Sequence, residues 1–367
     1  MTVRPHAPAI DLRCPGGHPA GDARAWRCPE CGGPWELSGQ PPFDAAAIDT
    51  TTWSLWRYAA MLPDVPPVTL GEGGTPLVPV TVPAGTFRAK LEFLSPTGSY
   101  KDRGTALLVS HLRALGVEEV VEDSSGNAGA SLAAYAAAAG LRARVFVPGH
   151  ASAAKKRQIA GMGAEVVEVP GGRGAAAAAC RREIGRATYA SHCWNPVFLS
   201  GQSTCAWEIW EQLGGTLPDA VVCPVGQGNL FLGLARGFAA LVEAGLAPDV
   251  PRMYAVQSAA CAPVARAWRT GLPGPAAVDE GVTIAEGILT SRPVRGDEIM
   301  RVLRRTGGAA LAVTDDEVRA AQHSLRGAGL SVEPTSAVPV AALSLLRDQL
   351  AGAEVVVPLT GSGLKSL

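Results

Sequence analysis

The sequence predicts an α/β protein built on parallel sheets, preceded by a small cysteine-bearing module. Its 367 residues exceed one average domain of roughly 150 residues, so two or three domains are expected. After residue 42, short apolar runs of strand length alternate with segments of helical periodicity, which is typical of parallel α/β sheets. Three of the eight cysteines lie within the first 31 residues, so the N-terminal segment is set apart from the rest.

Composition and charge exclude several classes of protein. A hydrophobic content of 47% with 18% charged residues excludes a wholly disordered chain. A net charge of −1 gives no field for nucleic acid or an anionic membrane, so we expect neither as a partner. The uncharged stretch 124–141 is mostly Ala, Gly and Ser, too weakly apolar for a membrane span. Residues 1–11 lack an apolar core, so we expect no signal peptide and a cytoplasmic location.

The N-terminal cysteines have the spacing of a metal site. Cys28 and Cys31 form a Cys-x2-Cys pair, whose tight turn can present two thiolates to one zinc ion. The second pair is incomplete, but Cys14 is followed by His18, which could supply a nitrogen. We predict a zinc-ribbon-like module over residues 1–40; a degenerate ribbon without metal is the alternative. A redox role is less favoured, because no thioredoxin-like βαβ pattern surrounds the pair. The predicted metal ligands are Cys14, His18, Cys28 and Cys31.

Strands and helices are predicted to alternate through the remainder of the chain. Each apolar run is bounded by Gly, Pro or Asp, and most are followed by a helical pattern. The predicted strands are 88–94, 119–122, 143–147, 164–169, 220–224, 253–257 and 354–358. The predicted helices are 101–115, a segment ending near 139, 153–159, 202–213, 230–242, 315–325 and 336–346.

Four loops that follow strands carry candidate functional groups, because ligands of parallel sheets bind at the carboxyl ends of strands. In the first loop, Lys101 begins a helix, where the helix dipole and Arg103 disfavour its positive charge. An uncharged lysine amine is what Schiff-base chemistry needs; a solvated lysine at a helix start is the ordinary alternative. The four loops are 94–104, 124–129, 224–230 and 359–365.

The other three loops offer anion-binding groups and a hydroxyl. Glycines in loop 224–230 would let backbone N–H groups converge on a phosphate at a helix start, although such glycines also occur in turns without ligand. Ser124, Ser125 and Asn127 could surround a carboxylate or only cap their helix. Thr360 places a hydroxyl after the last strand. Together the loops suit a phosphorylated aldehyde joined to an amino acid.

Taken in order, these motifs resemble those of the threonine synthase-like family of pyridoxal-phosphate (PLP) dependent enzymes. This family has the fold of the tryptophan synthase β subunit, known as fold type II. The likeness covers essentially the whole chain, including the N-terminal module. The matching runs are GEGGTPL (71–77), KLE (90–92), SPTGSYKDRG (95–104), SSGNAG (124–129), PVGQGNL (224–230), EPTSA (333–337) and LTGSGLK (359–365).

The resemblance implies PLP as cofactor, with Lys101 as the catalytic residue that binds it as a Schiff base. It implies a large PLP-binding domain of residues 41–115 and 195–367, a small mobile domain of residues 116–194, and a homodimer. The implied cofactor-binding residues are Lys101, Asn127 at the PLP 3′-oxygen, Gly226, Gln227, Gly228, Asn229 and Leu230 at its phosphate, and Thr360 at its ring nitrogen. The implied residues for a small amino-acid substrate are Ser124, Ser125, Gly126, Ala128, Lys155 and Asn195.

The implied activity is that of a carbon–oxygen lyase that converts O-phosphohomoserine and water to threonine and phosphate. One position departs from the family: Phe198 stands where an arginine often binds the substrate phosphate. Lys155 and Asn195 remain candidate phosphate ligands, although Lys155 could also belong to a solvated helix start. The departure keeps open β-replacement or β-elimination on O-phosphoserine or another activated serine, as in cysteate or cysteine synthases or in secondary metabolism. A non-catalytic relative and a nucleotide-binding protein are the alternatives of other classes.

The remaining cysteines and histidines have no predicted role in the chemistry. The cysteines predicted to be buried as small apolar residues are Cys180, Cys193, Cys205, Cys223 and Cys261. The histidines predicted to be structural are His111, His192 and His323.

Overall fold

The computed structural model describes residues 10–149, 151 and 153–366. Most of the segment on which the signal-peptide prediction rests, residues 1–11, lies outside the described residues. The contacts divide the chain into two compact units, and their bounds differ from the predicted domain boundaries, which stay a prediction. The first unit comprises Met1–Glu72 and Lys101–Gly201, and the second comprises Gly73–Tyr100 and Gln202–Leu367.

The described residues form strands and α-helices that alternate along most of the chain. The strands are β1 (Asp11–Arg13), β2 (Glu36–Ser38), β3 (Leu77–Val82), β4 (Gly85–Lys90), β5 (Glu119–Glu122), β6 (Arg142–Pro148), β7 (Glu165–Val169), β8 (Thr188–Tyr189), β9 (Ala220–Pro224), β10 (Arg252–Ser258), β11 (Ala310–Val313) and β12 (Val355–Pro358). The helices are α1 (Lys101–Ala114), α2 (Asn127–Ala139), α3 (Ala153–Gly161), α4 (Arg173–Arg181), α5 (Pro196–Gln212), α6 (Asn229–Glu243), α7 (Pro263–Arg269), α8 (Gly296–Thr306), α9 (Asp315–Gly327) and α10 (Pro334–Ala341).

The first unit contains a four-stranded parallel sheet and a separate two-stranded antiparallel sheet. The sheet has the order β7-β6-β5-β8, with every neighbouring pair parallel. The two-stranded sheet pairs β1 with β2 in antiparallel fashion, beside a small core that includes Leu12 and Trp35. This sheet lies in the segment that carries the cysteine pattern.

The second unit contains a six-stranded sheet that brings three loops to one edge. Its order is β11-β10-β9-β12-β4-β3, and every neighbouring pair is parallel except the antiparallel pair β3–β4. Because β4, β9 and β12 are consecutive and parallel, their carboxyl ends meet at the same edge. The segments that follow them are 91–100, 225–228 and 359–362.

A buried ion pair fixes the turn before β3. Lys90 is fully buried and forms an ion pair with Glu208 of α5. Its Nζ also donates to Thr75 O at 2.6 Å and to Gln212 Oε1 at 2.8 Å. Glu208 in turn accepts the N–H of Gly74 at 2.9 Å. The hydrogen bonds compensate the cost of burying both charges, so the motif that contains Gly74 and Thr75 has a structural use in this unit.

The predicted α/β class with parallel sheets is confirmed, and β5 and β9 coincide with their predicted ranges. Residues 92–94, predicted as strand, form a 3-10 helix instead. Helix α5 begins six residues before its predicted start, because Asn195 Oδ1 accepts the N–H of Val197 at 2.9 Å and starts the helix there. Among the described helices, none has the length and apolar character needed to cross a bilayer.

His111 in α1 makes a pH-dependent contribution to stability. It is fully buried, and within the described residues neither ring nitrogen has a hydrogen-bond partner. Burial lowers its pKa from 6.5 to about 4. The unfolded chain therefore takes up this proton near pH 6.5 and the folded chain only near pH 4, so stability falls as the pH drops across that window. The full effect amounts to about 3 kcal/mol.

We expect His111→Leu to flatten the pH dependence of stability between pH 7 and pH 5, because leucine has no proton to take up. Urea unfolding at both pH values measures the free energy of unfolding. His323→Leu, at an exposed position, is the matched control and should keep the wild-type slope. A His111→Leu protein that loses as much stability as the wild type between these pH values would disprove the assignment.

Candidate functional site

The loop after β9 in the second unit is packed so closely that two of its positions require glycine. A Cβ on Gly226 would lie 2.8 Å from the Cα of Ile288, which is closer than two non-bonded carbon atoms approach in proteins. A Cβ on Gly228 would overlap the side chain of Ile299. Gly228 also has a φ of +85°, in the left-handed region that favours glycine. The loop therefore presents backbone without side chains at Gly226 and Gly228, directly before α6. We call this segment the bare cradle.

The start of α6 suits an anion. Its N-cap residue is Gly228, and no side chain caps the helix within the described residues. The N-terminal N–H groups and the dipole of this 15-residue helix then favour a phosphate. Asn229 and Leu230, the first residues of α6, are buried. The side chain of Gln227 faces elsewhere, because its Oε1 accepts the N–H of Val294 at 3.0 Å. The bare cradle and the uncapped helix together fit the phosphate of PLP.

Gln257 of β10 supports this loop and was not predicted. It is fully buried, and its Nε2 donates to Val225 O at 3.1 Å. Its Oε1 accepts the N–H groups of Val264 and Ala265 at 2.8 and 3.0 Å. One amide side chain thus holds the loop after β9 and the start of α7 together. A buried glutamine within a strand is the only local signal that could have indicated it.

Thr360, at the end of β12, lies at the same edge of the sheet. Its side chain is buried, and its hydroxyl lies 3.0 Å from Ser336 Oγ. Ser336 Oγ also accepts the N–H of Gly361 at 2.7 Å, so it fixes the turn that carries Thr360. Thr360 O accepts the N–H of Tyr100 at 3.0 Å, and Tyr100 directly precedes Lys101 in the chain. Ser336 belongs to the EPTSA run, but its role was not predicted.

In the first unit, Lys101 is the partly exposed first residue of α1. Ser131 Oγ in α2 donates to the buried Asp102 Oδ1 at 2.7 Å, so the first turns of α1 and α2 lie side by side. This contact places Lys101 and Asn127, the first residues of the two helices, at the same end of the helix pair. The structure thus brings these two predicted cofactor residues together.

The loop between β5 and α2 is a tight turn that leaves polar groups accessible. A Cβ on Gly129 would overlap Ser124 O, so the turn requires glycine there. Ser124 Oγ accepts the N–H of Gly126 at 3.4 Å. Ser124, Ser125 and Gly126 are partly exposed, whereas the side chain of Ala128 is buried. Three of the predicted substrate residues therefore present polar groups on one turn, and Ala128 contributes only backbone.

The two predicted phosphate ligands have different surroundings. Lys155 is partly exposed on α3, which packs against α2. Asn195 uses its Oδ1 to start α5, so that atom is already engaged. Phe198 is fully buried, and a Cβ on Gly104 of α1 would lie 2.6 Å from its ring. The phenylalanine that departs from the family pattern is therefore packed directly against α1.

A buried carboxyl group and a partly exposed histidine form a pair near Lys101. The Nδ1 of His192 is 2.9 Å from Glu122 Oε1, and its Nε2 is 3.2 Å from Cys193 Sγ. The Phe198 ring lies 5.9 Å from the His192 ring centroid and 5.9 Å from Lys101 Nζ. Burial, followed by the charge of Lys101, lowers the pKa of His192 well below its usual value. Burial, followed by Asp123, raises the pKa of Glu122 well above its usual value.

This cluster bears on two predictions. His192, predicted to be structural, lies in the same cluster as Lys101, the lysine predicted to bind PLP. Cys193 is partly exposed, whereas the other four cysteines outside the N-terminal module are buried as predicted: Cys180, Cys205, Cys223 and Cys261. The acidic Glu122 and Asp123, directly before loop 124–129, were the signal that could have indicated a titratable cluster.

The N-terminal cysteines form a second cluster in the first unit. Cys14 Sγ lies 3.2 Å from His18 Nδ1 and 3.5 Å from Cys31 Sγ, and Cys28 Sγ lies 3.6 Å from His18 Nδ1. All four ligand atoms lie within 4.8 Å of one another. Zinc–ligand bonds of about 2.0–2.3 Å place tetrahedral ligands at separations of this order. The donor set therefore fits one zinc ion.

Comparison with known proteins places the chain in a family. Residues 68–361 match the family described as "Pyridoxal-phosphate dependent enzyme". The threonine synthase of Methanosarcina acetivorans is 35% identical over 314 residues, covering 83% of this chain and 78% of that protein. The threonine synthase of Mycobacterium tuberculosis is 36% identical over 313 residues, covering 82% and 84%.

Solved structures agree on the fold. A threonine deaminase from T.th. superposes with a TM-score of 0.67 at 27% identity, covering 78% of this chain and 92% of that one. A fungal L-serine ammonia-lyase from Rhizomucor miehei, at 23% identity and a TM-score of 0.69, covers 78% and 93% and shows the fold alone. This chain therefore belongs to the PLP-dependent enzymes, in the family of the threonine synthases.

Proposed function

We propose that this chain is a threonine synthase, a PLP-dependent carbon–oxygen lyase that converts O-phosphohomoserine and water to threonine and phosphate. The observation that carries the proposal is the likeness to threonine synthases over more than four-fifths of the chain. The bare cradle at Gly226 and Gly228 supports the cofactor assignment. The presence of Lys101 argues against a non-catalytic relative.

The loops after β9 and β12 would supply groups that hold the cofactor without a covalent bond. Gly226, Gly228 and the N–H groups at the start of α6 would bind the PLP phosphate. We assign Thr360 to the ring nitrogen, held there by Ser336. PLP, when bound, withdraws electrons from the substrate carbon beside the amino group. A neutral hydroxyl does not hold a proton on the ring as a carboxylate would, which favours elimination over amino transfer.

The start of α1 and the loop before α2 would supply groups that act on the substrate. Lys101 would bind the cofactor covalently and then, released as an amine by the substrate, take and return the proton at the substrate α-carbon. Asn127 would donate to the 3′-oxygen of PLP. The turn with Ser124, Ser125 and Gly126 would bind the substrate carboxylate.

The residues available to bind the substrate phosphate decide between this function and a second candidate. Lys155 is our proposed phosphate ligand, with Asn195 beside α5. The buried Phe198 cannot donate a hydrogen bond, and this specific observation favours a second candidate, β-replacement or β-elimination on O-phosphoserine or another activated serine.

A substrate panel separates the two functions. The PLP-loaded protein is supplied with O-phosphohomoserine, O-phosphoserine, O-acetylserine and O-acetylhomoserine, and amino-acid products and phosphate are quantified. We expect threonine from O-phosphohomoserine as the dominant product. Pyruvate or a β-substituted alanine from a serine derivative, with no threonine, would instead identify the second function.

We further propose that Cys14, His18, Cys28 and Cys31 hold one structural zinc ion. The apolar core of this module is small, centred on Leu12 and Trp35, so a bound metal would supply much of its folding free energy. A homodimer, implied by the family resemblance, and a cytoplasmic location are also part of this proposal, and sedimentation of the purified protein tests the homodimer.

We expect Cys28→Ser to reduce bound zinc from one ion per chain to nearly none and to lower the thermal unfolding temperature. Elemental analysis of the purified protein measures the first effect and calorimetry the second. Cys180→Ser, at a buried cysteine outside the cluster, should keep its zinc whatever it does to stability. Wild-type protein that binds no zinc, even after zinc is added during refolding, would identify a degenerate ribbon.

A further inference from the structure

We propose that Cys193 is a modification site, a nucleophilic thiol that forms a mixed disulfide with a small disulfide and thereby slows turnover. Its nucleophilicity comes from the array of Glu122, His192 and Cys193 in the first unit. The reaction of the thiol goes beyond the proposed function and needs no substrate. Only the effect on turnover rests on the proposed function.

The three side chains form a continuous hydrogen-bonded array. His192 Nδ1 lies 2.9 Å from Glu122 Oε1, and His192 Nε2 lies 3.2 Å from Cys193 Sγ. The imidazole therefore joins a carboxyl group on one side to a thiol on the other. An imidazole at the sulfur, with a third group that orients the imidazole, is the arrangement of an activated nucleophile.

The protonation of Glu122 decides which nitrogen of His192 carries the hydrogen. The Glu122 side chain is 1% exposed, and burial raises its pKa well above its usual value, so it keeps its proton. Burial also lowers the pKa of His192, so the ring is neutral. A neutral ring beside a protonated carboxyl group accepts at Nδ1 and carries its hydrogen on Nε2. The Nε2–H group therefore donates to Cys193 Sγ.

This donor favours the thiolate form of Cys193. A sulfur anion accepts a hydrogen bond more strongly than a neutral thiol does, so the Nε2–H group stabilises the anion once the S–H proton is lost to solvent. The thiolate is the nucleophilic form of cysteine. Cys193 is also partly exposed, so a small reagent can reach it, whereas Cys180, Cys205, Cys223 and Cys261 are buried.

The reaction is a thiol–disulfide exchange in which the small disulfide is the oxidant. The Cys193 thiolate attacks one sulfur of the reagent and forms a new S–S bond. The S–S bond of the reagent breaks, and the departing thiolate takes a proton from solvent. Cys193 is oxidised and the departing sulfur is reduced, so atoms and electrons balance. An added thiol reverses the exchange and restores Cys193.

An adduct on Cys193 would disturb the surroundings of Lys101. Cys193 Sγ contacts the His192 ring, which lies edge-on to the Phe198 ring at a centroid distance of 5.9 Å. The Phe198 ring in turn lies 5.9 Å from Lys101 Nζ. The substituent on the sulfur needs space beside His192, so both rings have to shift. Because displacements of about 1 Å near reacting groups can cost up to about 100-fold in rate, we expect about a tenfold loss of turnover.

The test follows the modification of the PLP-loaded protein by 2-hydroxyethyl disulfide at neutral pH. Peptide mass spectrometry measures the rate at each cysteine, and turnover of the best substrate from the panel is measured in the same samples. We expect the adduct at Cys193, loss of turnover in step with it, and recovery of turnover with 2-mercaptoethanol. The buried Cys180 should stay unmodified, which shows that the protein remains folded.

Variants separate activation of the thiol from exposure alone. His192→Phe keeps an aromatic ring against Phe198 but has no N–H group. The rate at Cys193 should then fall about 3- to 10-fold, because the smaller thiolate population is partly offset by a higher intrinsic nucleophilicity. His323→Phe, at an exposed position, is the matched control and should react like the wild type. Cys193→Ser should keep its turnover in the presence of the reagent.

Each outcome decides the inference. A Cys193 that stays unmodified, or equal rates in His192→Phe and the wild type, overturns it, and so does modification of Cys193 without loss of turnover. If Cys180 reacts in His192→Phe, that variant has not folded, and the rate in His192→Leu decides instead. A wild type that turns over no substrate of the panel overturns the proposed function, and the rates at Cys193 still test the activation of the thiol.

Discussion

The Lys101→Ala protein is expected to lose the visible absorption band of bound PLP and to lose at least about 10³-fold in kcat. The lysine amine would both anchor the cofactor and carry the substrate proton. Alanine can do neither, and no second lysine is proposed for either role. Absorbance of the protein dialysed against PLP measures the first loss, and threonine formation measures the second.

Lys156→Ala is the matched control for this variant. Lys156 lies on α3 in an ion pair with Glu168 at 2.9 Å, and no role in the chemistry is proposed for it. This variant should keep the band and the activity. Turnover by Lys101→Ala at a rate near that of the wild type would show that another group performs the proton transfer.

Gly226→Ala is expected to weaken PLP binding by about 10- to 100-fold, the loss that corresponds to one well-aligned hydrogen bond to a charged group. The new methyl group would lie 2.8 Å from the backbone of Ile288. Either the loop after β9 or the segment around Ile288 must move, and the N–H groups at the start of α6 then lose their alignment. Titration of the cofactor-free protein with PLP measures the dissociation constant.

Gly245→Ala separates loss of binding from loss of stability. Gly245 lies just after α6, has a φ of +74° and has open space around its Cα, so alanine strains the backbone there without touching the cradle. This control should lose some thermal stability and keep its PLP affinity. Equal affinities for Gly226→Ala and the wild type would remove the phosphate assignment from this loop.

Local sequence patterns were sufficient to predict the sheets and the loops that follow them. Strands such as β5 and β9 are short apolar runs bounded by turn residues, and a parallel sheet buries both faces of such runs. Among the elements that were missed, two strands are marginal in the same terms. Strand β3 contains Pro79 and pairs only at the edge of its sheet, and β8 has two residues. Edge and very short strands lack the periodic signal that longer buried strands have.

The polar partners in the site could not be predicted, because they are distant in sequence. Ser336 and Thr360 are 24 residues apart, and Glu122 and His192 are 70 residues apart. Each pair forms only when the tertiary fold brings two distant segments together. Local patterns located one member of each pair next to a motif, Thr360 in one case and Glu122 in the other, and the tertiary fold supplied the second.

The source of the oxygen in the product tests the proposed activity most directly. The PLP-loaded protein is incubated with O-phosphohomoserine in water enriched in ¹⁸O, and threonine and phosphate are analysed by mass spectrometry. A carbon–oxygen lyase breaks the bond between carbon and the phosphate oxygen and adds water to carbon. We therefore predict ¹⁸O in the threonine hydroxyl group and unlabelled phosphate in equal amount. Homoserine with ¹⁸O in the phosphate, or no threonine at all, would contradict the proposed function.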